Sequence, residues 1–452
     1  MQVGIAEARW LLEGGGPMDW VEWDRRVRVE GWYRPGDYGA GFRVLAVLES
    51  GSGEALGDEE LAVALCHRDG RVRRRALERV VGRAALLPLV AVRCADWAEP
   101  VRERARELLV EALDAEAAVR LAPLVLRLAD RQRGDFALGL LDQVLRREGP
   151  GPLLESGDRP ARRFAYRLAV EEGLLPPAGL AWAAALDDDA VVQGLCADAA
   201  LAATTDAEVV DVLLGARAPR VRAAGVTALR RLGRRERAEE FLADRSGLVR
   251  ACARYVVRQL GGDPLPWYRA RCAEPTPPPG AAVGLAECGE RADAELLWPL
   301  LDHPEAGVRA RAVAGLRVLG VTDVPRMRRL LDDPAPGVVG AATRALLPSA
   351  GALSAEWLLR RLDAERPRWE RVSAWRLLDA HGKVARLRAA VALLEDGDVR
   401  LRARAEQVVR RATGWGTYWP GTYARSEPEV AGLLERGRLL LGALGRRQDT
   451  HA

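Results

Sequence analysis

Lysine is nearly missing from this chain of 452 residues: Lys383 is the only one among 68 basic side chains. Selection for phosphate contacts does not explain so complete a loss of lysine, so the bias is read as the mark of a GC-rich genome. Histidine is also scarce. His67, His303, His381 and His451 stand far apart, and none lies in a His-Glu pair. The six cysteines, Cys66, Cys94, Cys196, Cys252, Cys272 and Cys288, are scattered without a CxxC pair. That spacing offers no zinc set and suits a reducing cytoplasm, with cysteine used as a small apolar residue. A Gly-rich phosphate loop, GxSxG and HExxH are all absent. No apolar run nears the ~18 residues of a membrane span, and "MQVGIAEARWLLEGGG" lacks the basic start of a secretory signal. The expectation is a cytoplasmic protein with no catalytic residue, no metal, no cofactor and no membrane partner.

What is present is apolar and arginine-rich. Hydrophobic residues make up 49%, enough for a large core, and charged residues 29%. The net charge of +4 hides an asymmetry: residues 1–200 hold 27 basic against 33 acidic groups, and residues 201–452 hold 41 against 31.

A repeat orders this composition. "VRRRALERV" at Val72, "VRERARELL" at Val101, "VRAAGVTAL" at Val221, "VRACARYVV" at Val249, "VRARAVAGL" at Val308 and "VRLRARAEQ" at Val399 share a Val-Arg start and a small residue four positions on. Weaker copies begin at Phe42, Ala161, Val191, Val338 and Trp369, with degenerate ones near Arg133 and Pro278. The thirteen anchors recur about every 30 residues. Apolar residues at offsets 0, 4 and 8, such as Val308, Ala312 and Leu316, share one helical face. Before each anchor comes a turn such as "DHPEAG" or "DDPAPG", where Asp caps the next helix and Pro stops the previous one. Upstream lies a second short apolar helix, such as "AELLWPLL" from Ala294 to Leu301. One helix pair cannot bury its own apolar face, so pairs must stack.

The pattern resembles the short bacterial HEAT repeats, also called PBS-lyase HEAT-like, within the armadillo-type α-solenoids. The resemblance implies an all-α chain: a solenoid of about thirteen helix pairs, in a right-handed superhelix, with N- and C-terminal caps. The expected organisation is an aromatic cap at 1–38, repeats at 39–260, a proline-rich distorted repeat or kink at 261–282, repeats at 283–411, and an aromatic loop with a capping helix at 412–452. Family members include enzymes, chaperone-like factors and scaffolds, so the resemblance fixes no activity. The di-iron hydroxylases on this fold need paired His-Glu ligands, which this chain lacks.

Two arginine sets are separable. Arg43, Arg73, Arg102, Arg162, Arg222, Arg250, Arg309 and Arg400, one per repeat beside turn acids, are expected to bond an adjacent turn. Offsets 2, 6 and 9 point outward. They place Arg74, Arg163 and Arg167 against Glu78, Glu103, Glu107, Asp135 and Asp142 in the first half. In the second half they place Arg230, Tyr255, Arg258, Arg317, Arg344, Arg371 and Trp375 against Glu287. This second set forms the candidate partner-binding face, for a protein or acidic peptide, with nucleic acid as the alternative. Asp187, Asp188 and Asp189 are read as turn acids. Trp20, Trp23, Trp32, Tyr33 and Tyr38 are expected to cover the first repeat, and Trp415 and Trp419 the last. Tyr418 and Tyr423, with polar tips, join the candidate contacts. The leading reading is a non-enzymatic scaffold that binds protein on its concave face. The rivals are a nucleic-acid-binding solenoid resembling the HEAT-like alkylpurine DNA glycosylases and an accessory of the PBS-lyase type.

Overall fold

The computed structural model describes residues 2–30, 38–50, 54–413 and 428–449, and every regular element among them is helical. The chain forms two compact units, Met1–Ala224 and Gly225–Ala452. The proline-rich segment 261–282 lies inside the second.

The predicted stripe is the core of most repeats. Val308, Ala312 and Leu316 of the helix Ala306–Val318 are buried, as are Val249, Ala253 and Val257 of Gly247–Gln259 and Val101, Ala105 and Leu109 of Glu99–Ala112. Each buried Val or Leu contributes about 1.5–3 kcal/mol relative to exposure. Alanine at the middle position lets helices approach closely, and glycine does so further. A Cβ on Gly315 would lie 2.7 Å from the Ala282 carbonyl oxygen and 2.8 Å from Leu297 Cδ1.

In the first unit, Asp58–Leu65 pairs with Gly70–Glu78, Leu87–Arg93 with Glu99–Ala112, Ala115–Leu128 with Asp135–Glu148, and Pro177–Leu186 with Ala190–Ala203. The N-terminal segment is itself a helix pair, Gln2–Gly14 and Pro17–Glu30. Gln2–Gly14 packs on Asp58–Leu65, and Pro17–Glu30 on Leu87–Arg93 and Ala115–Leu128. Trp20 and Trp23 are buried there. The side chains of Trp32, Tyr33 and Tyr38 lie outside the described residues.

In the second unit, Pro264–Cys272 packs on Ala281–Cys288, which leads to Ala306–Val318, Pro336–Leu346 and Arg368–His381, each packed on the one before. The element expected at Ala294–Leu301 is not one helix but two short 3₁₀ segments, Arg291–Leu296 and Pro299–Asp302. Pro299 carries no N–H and cannot continue an α-helix from the preceding turn.

The repeat register departs from the predicted anchors in four places; in the Phe42 copy Ala46, four positions on, is exposed while Val44, Val47 and Leu48 are buried. Val191, Trp369 and Val399 are exposed, whereas Val192 and Leu401 are buried. Ala374 and Ala405 occupy the buried middle position, and Ala403 does not. The anchors therefore fall at Val192, Glu370 and Leu401. Helix Val399–Thr413 starts two residues earlier, relative to its stripe, than the sequence pattern implies.

Candidate partner-binding face

The recurrent arginines are links between repeats. Most reach back to a carbonyl of their own turn six residues before; the side chain of Arg43 lies outside the described residues, and at the last repeat Arg402 does this in place of Arg400, which is exposed. Arg73 donates to His67 (2.7 Å), Arg162 to Ser156 (2.7 Å), Arg250 to Asp244 (2.7 Å), Arg309 to His303 (2.8 Å) and Arg402 to Asp396 (2.7 Å). Arg102 and Arg222 do the same, and in the Val192 repeat the amide of Gln193 takes the place of the guanidinium. The other edge of the fork grips an acid in the next turn. Arg73 bonds both oxygens of Asp96 (2.9 and 2.7 Å), Arg162 both of Asp187 (3.0 and 3.3 Å), and Arg309 both of Asp333 (2.7 and 2.8 Å). Arg371 holds one oxygen of Asp396 through Nη2 while its Nε donates to the Leu362 carbonyl. These residues are consumed by the architecture. Arg371 and Trp375, expected on the outward face, are buried because the register in that helix is set by the Arg371–Asp396 link.

Proton affinities follow the links. The Arg163 guanidinium, opposed by burial and helped by the amides of Val191 and Val192, draws Asp189 down to about 2. Burial pushes Asp333 up, but the bonds from Arg309 and the Ala335 amide bring it below its ordinary value. Asp187 and Asp189 are thus a link acid and a helix cap, with Asp188 bonded to Arg162. His67 and His303 stand in for turn acids, each accepting at Nδ1 from the amide two residues on. His67 is buried, and burial lowers its pKa. No group of three or more metal-ligating side chains occurs among the described residues.

A denser polar knot sits under the N-terminal helices. Asp96 accepts from Arg73 and from Arg93 (3.2 Å), while Arg93 also pairs with Asp24 of Pro17–Glu30. Arg28 lies 3.4 Å from Asp24 and 3.5 Å from Asp96. In the second unit, Glu287 takes Arg250 and Arg254, and burial pushes the Tyr268 phenol up to about 12. Tyr268 donates to the Leu242 carbonyl (2.6 Å) and lies against Gly284. Here the proline-rich loop supplies no turn acid, and Glu287, from the end of the neighbouring helix, serves Arg250 instead.

Outward positions differ between the units. In the first, charge is neutralised in place. Arg74 pairs with Glu78, Arg104 with Glu78 and Glu107, and Arg106 with Glu103. Arg146 joins Asp142, Glu171 and Glu172; Arg163 pairs with Asp189, and Arg167 approaches Glu171. Asp135 is exposed. In the second, Arg230, Arg258, Arg317 and Arg344 are exposed, and none has a carboxylate within ion-pair distance among the described residues. Tyr255 is 45% exposed, with the Arg230 guanidinium 5.9 Å from its ring centroid. The corrected register adds Arg376, which is exposed. It was legible only once the Arg371–Asp396 bond had fixed the phase. Asp379, on the same helix as Arg376, is neutralised by Arg386 (2.9 Å). Tyr418 and Tyr423, with Trp415 and Trp419, lie outside the described residues.

No family model matches the chain, and no curated protein matches it. Among solved structures, Kap121p is 13% identical over 87% of this chain and 51% of its own, with a TM-score of 0.30. A structure of microtubule polymerases with tumor overexpressed gene domain arrays is 12% identical over 83% of this chain and 92% of its own, with a TM-score of 0.22. An engineered protein is 14% identical over 89% and 99%, with a TM-score of 0.18. The chain spans about half the length of Kap121p. Overlaps of this size carry no weight for shape or function, and the fold assignment rests on the helix pairing itself.

Proposed function

We propose that the chain is a non-enzymatic HEAT-like scaffold that binds an acidic protein segment on the second-helix face of residues 225–452. The observation that supports this is the contrast in charge pairing. The outward arginines named in the first unit are matched by carboxylates, whereas Arg230, Arg258, Arg317, Arg344 and Arg376 have none within ion-pair distance among the described residues. Unmatched guanidinium groups are ready for bidentate bonds to carboxylate. A duplex is the weaker fit. It presents one negative charge per ~1.7 Å of axis, whereas this face offers a sparse row with about one arginine per helix.

The test uses labelled poly-glutamate and a duplex of equal charge, with the wild-type chain and an Arg317→Glu/Arg344→Glu variant. Binding of poly-glutamate that is lost in the variant is the expected result. Duplex binding that is tighter than poly-glutamate at the same salt would overturn the choice of ligand. Equal binding by both protein forms would overturn the choice of face.

A further inference from the structure

The spacing of the arginines restricts which acidic segment fits. This rests on the face proposed above. The helices Ala306–Val318, Pro336–Leu346 and Arg368–His381 pack consecutively. Each presents one exposed arginine without a carboxylate partner among the described residues: Arg317, Arg344 and Arg376. Packed helices lie ~8–10 Å apart axis to axis, so cationic sites recur along the row at about that interval. Arg317 sits one turn further along its helix than Arg344 along its own, and the flexible arginine stem takes up that offset.

A ligand with carboxylates on one face at the same interval can engage all three. A β-strand rises ~3.3 Å per residue but turns alternate side chains to opposite faces. Every third residue then points the wrong way, and every second or fourth misses the interval. Polyproline II has three residues per turn and a rise of ~3.1 Å, which returns a side chain to the same face every ~9.3 Å. An α-helix brings positions seven apart to one face at ~10.5 Å, just beyond the interval.

We infer that the face reads an extended acidic segment in the polyproline II conformation, with Asp or Glu at every third residue. Such a segment loses little conformational freedom on docking, because polyproline II is already populated in unfolded chains.

Synthetic peptides of one length and one composition separate the possibilities. One carries glutamate at every third position among Pro, Ala and Ser. The second carries it at every fourth. The third groups all glutamates at one end. A helix-forming peptide with glutamate at every seventh position completes the set. Binding to the full chain is measured by fluorescence anisotropy at low ionic strength. The third-residue peptide is expected to bind about tenfold tighter than its isomers, since exposed ion pairs out of register contribute little. Arg344→Gln should weaken it severalfold and leave the grouped isomer unchanged. Equal binding by all isomers, with loss on Arg317→Glu/Arg344→Glu, overturns the spacing while the face stands. A preference for the seventh-residue peptide overturns the conformation. No difference between wild type and the charge-reversed variant for any peptide overturns the face as well.

Discussion

Asp96→Ala tests the links at their most buried point. The Asp96 side chain is fully enclosed, as are those of Arg73 and Arg93. It accepts two bonds from Arg73, one from Arg93 and one from the Ala98 amide, which starts the next helix. Truncation leaves Arg73 charged in a site that water does not reach. Removing one partner of a buried pair typically costs about 3–5 kcal/mol, mostly the penalty of the stranded charge. For a unit of this size each kcal/mol moves the melting temperature ~2–4 °C, so the first unit should melt about 6–20 °C lower. Stability in stacked repeats is roughly a sum over neighbouring interfaces. Hydrogen exchange should therefore accelerate in 58–128 and in the Pro17–Glu30 helix, and leave amides after 306 unchanged. Arg73→Met/Asp96→Leu removes both charges and should recover much of the loss, because Arg93 retains Asp24. A single variant that costs under ~1 kcal/mol, or a double variant no better than the single, would refute the reasoning.

Three further outcomes follow. Asp189 titrates at about 2 in the folded chain and near ~3.9 when unfolded, so its link stabilises above about pH 4 and is lost as pH falls toward 2. Asp189→Asn keeps the cap; urea midpoints at pH 5 should then favour the wild type, and the gap should shrink below about pH 4 and close only below about pH 2. Gly315→Val should destabilise by about 1–3 kcal/mol through overpacking, whereas Gly337→Ala, with nothing within 4 Å of the new Cβ, should be neutral or stabilising; thermal melts compare them. Arg309→Lys keeps the charge but loses the two-oxygen grip on Asp333, and exchange should rise at the junction of Ala306–Val318 and Pro336–Leu346 more than elsewhere.

The repeat was legible because its apolar stripe and turn acids recur at fixed distances. Residues such as Val308, Ala312 and Leu316 announce a helical face without any tertiary knowledge. The register of the last repeats was not legible in the same way. In "ERPRWERVSAWRLL" and "EDGDVRLRARAEQ" several arginines compete for one role, and only the bond to Asp396 selects Arg371 and Arg402. That slip put Arg371 and Trp375 on the surface and hid Arg376. The knot of Asp24, Arg93 and Asp96 was equally silent, since it joins residues 24 and 96 through packing of the N-terminal helices. Glu287 was assigned outward, yet it bonds Arg250 because the proline-rich loop breaks the pattern of turn acids.

The links at Arg73, Arg162 and Arg309 use the same donor fork, and each receives it on an aspartate. A chain cut at one such link and rejoined at another would still meet a matched pair at the seam. In-frame gain or loss of a whole unit therefore leaves no stranded charge, whereas a change of a few residues would set a guanidinium against the wrong atom. Length can drift by duplication in steps of one unit. The arginines at 317, 344 and 376 belong to no junction, so substitutions there leave the seams intact.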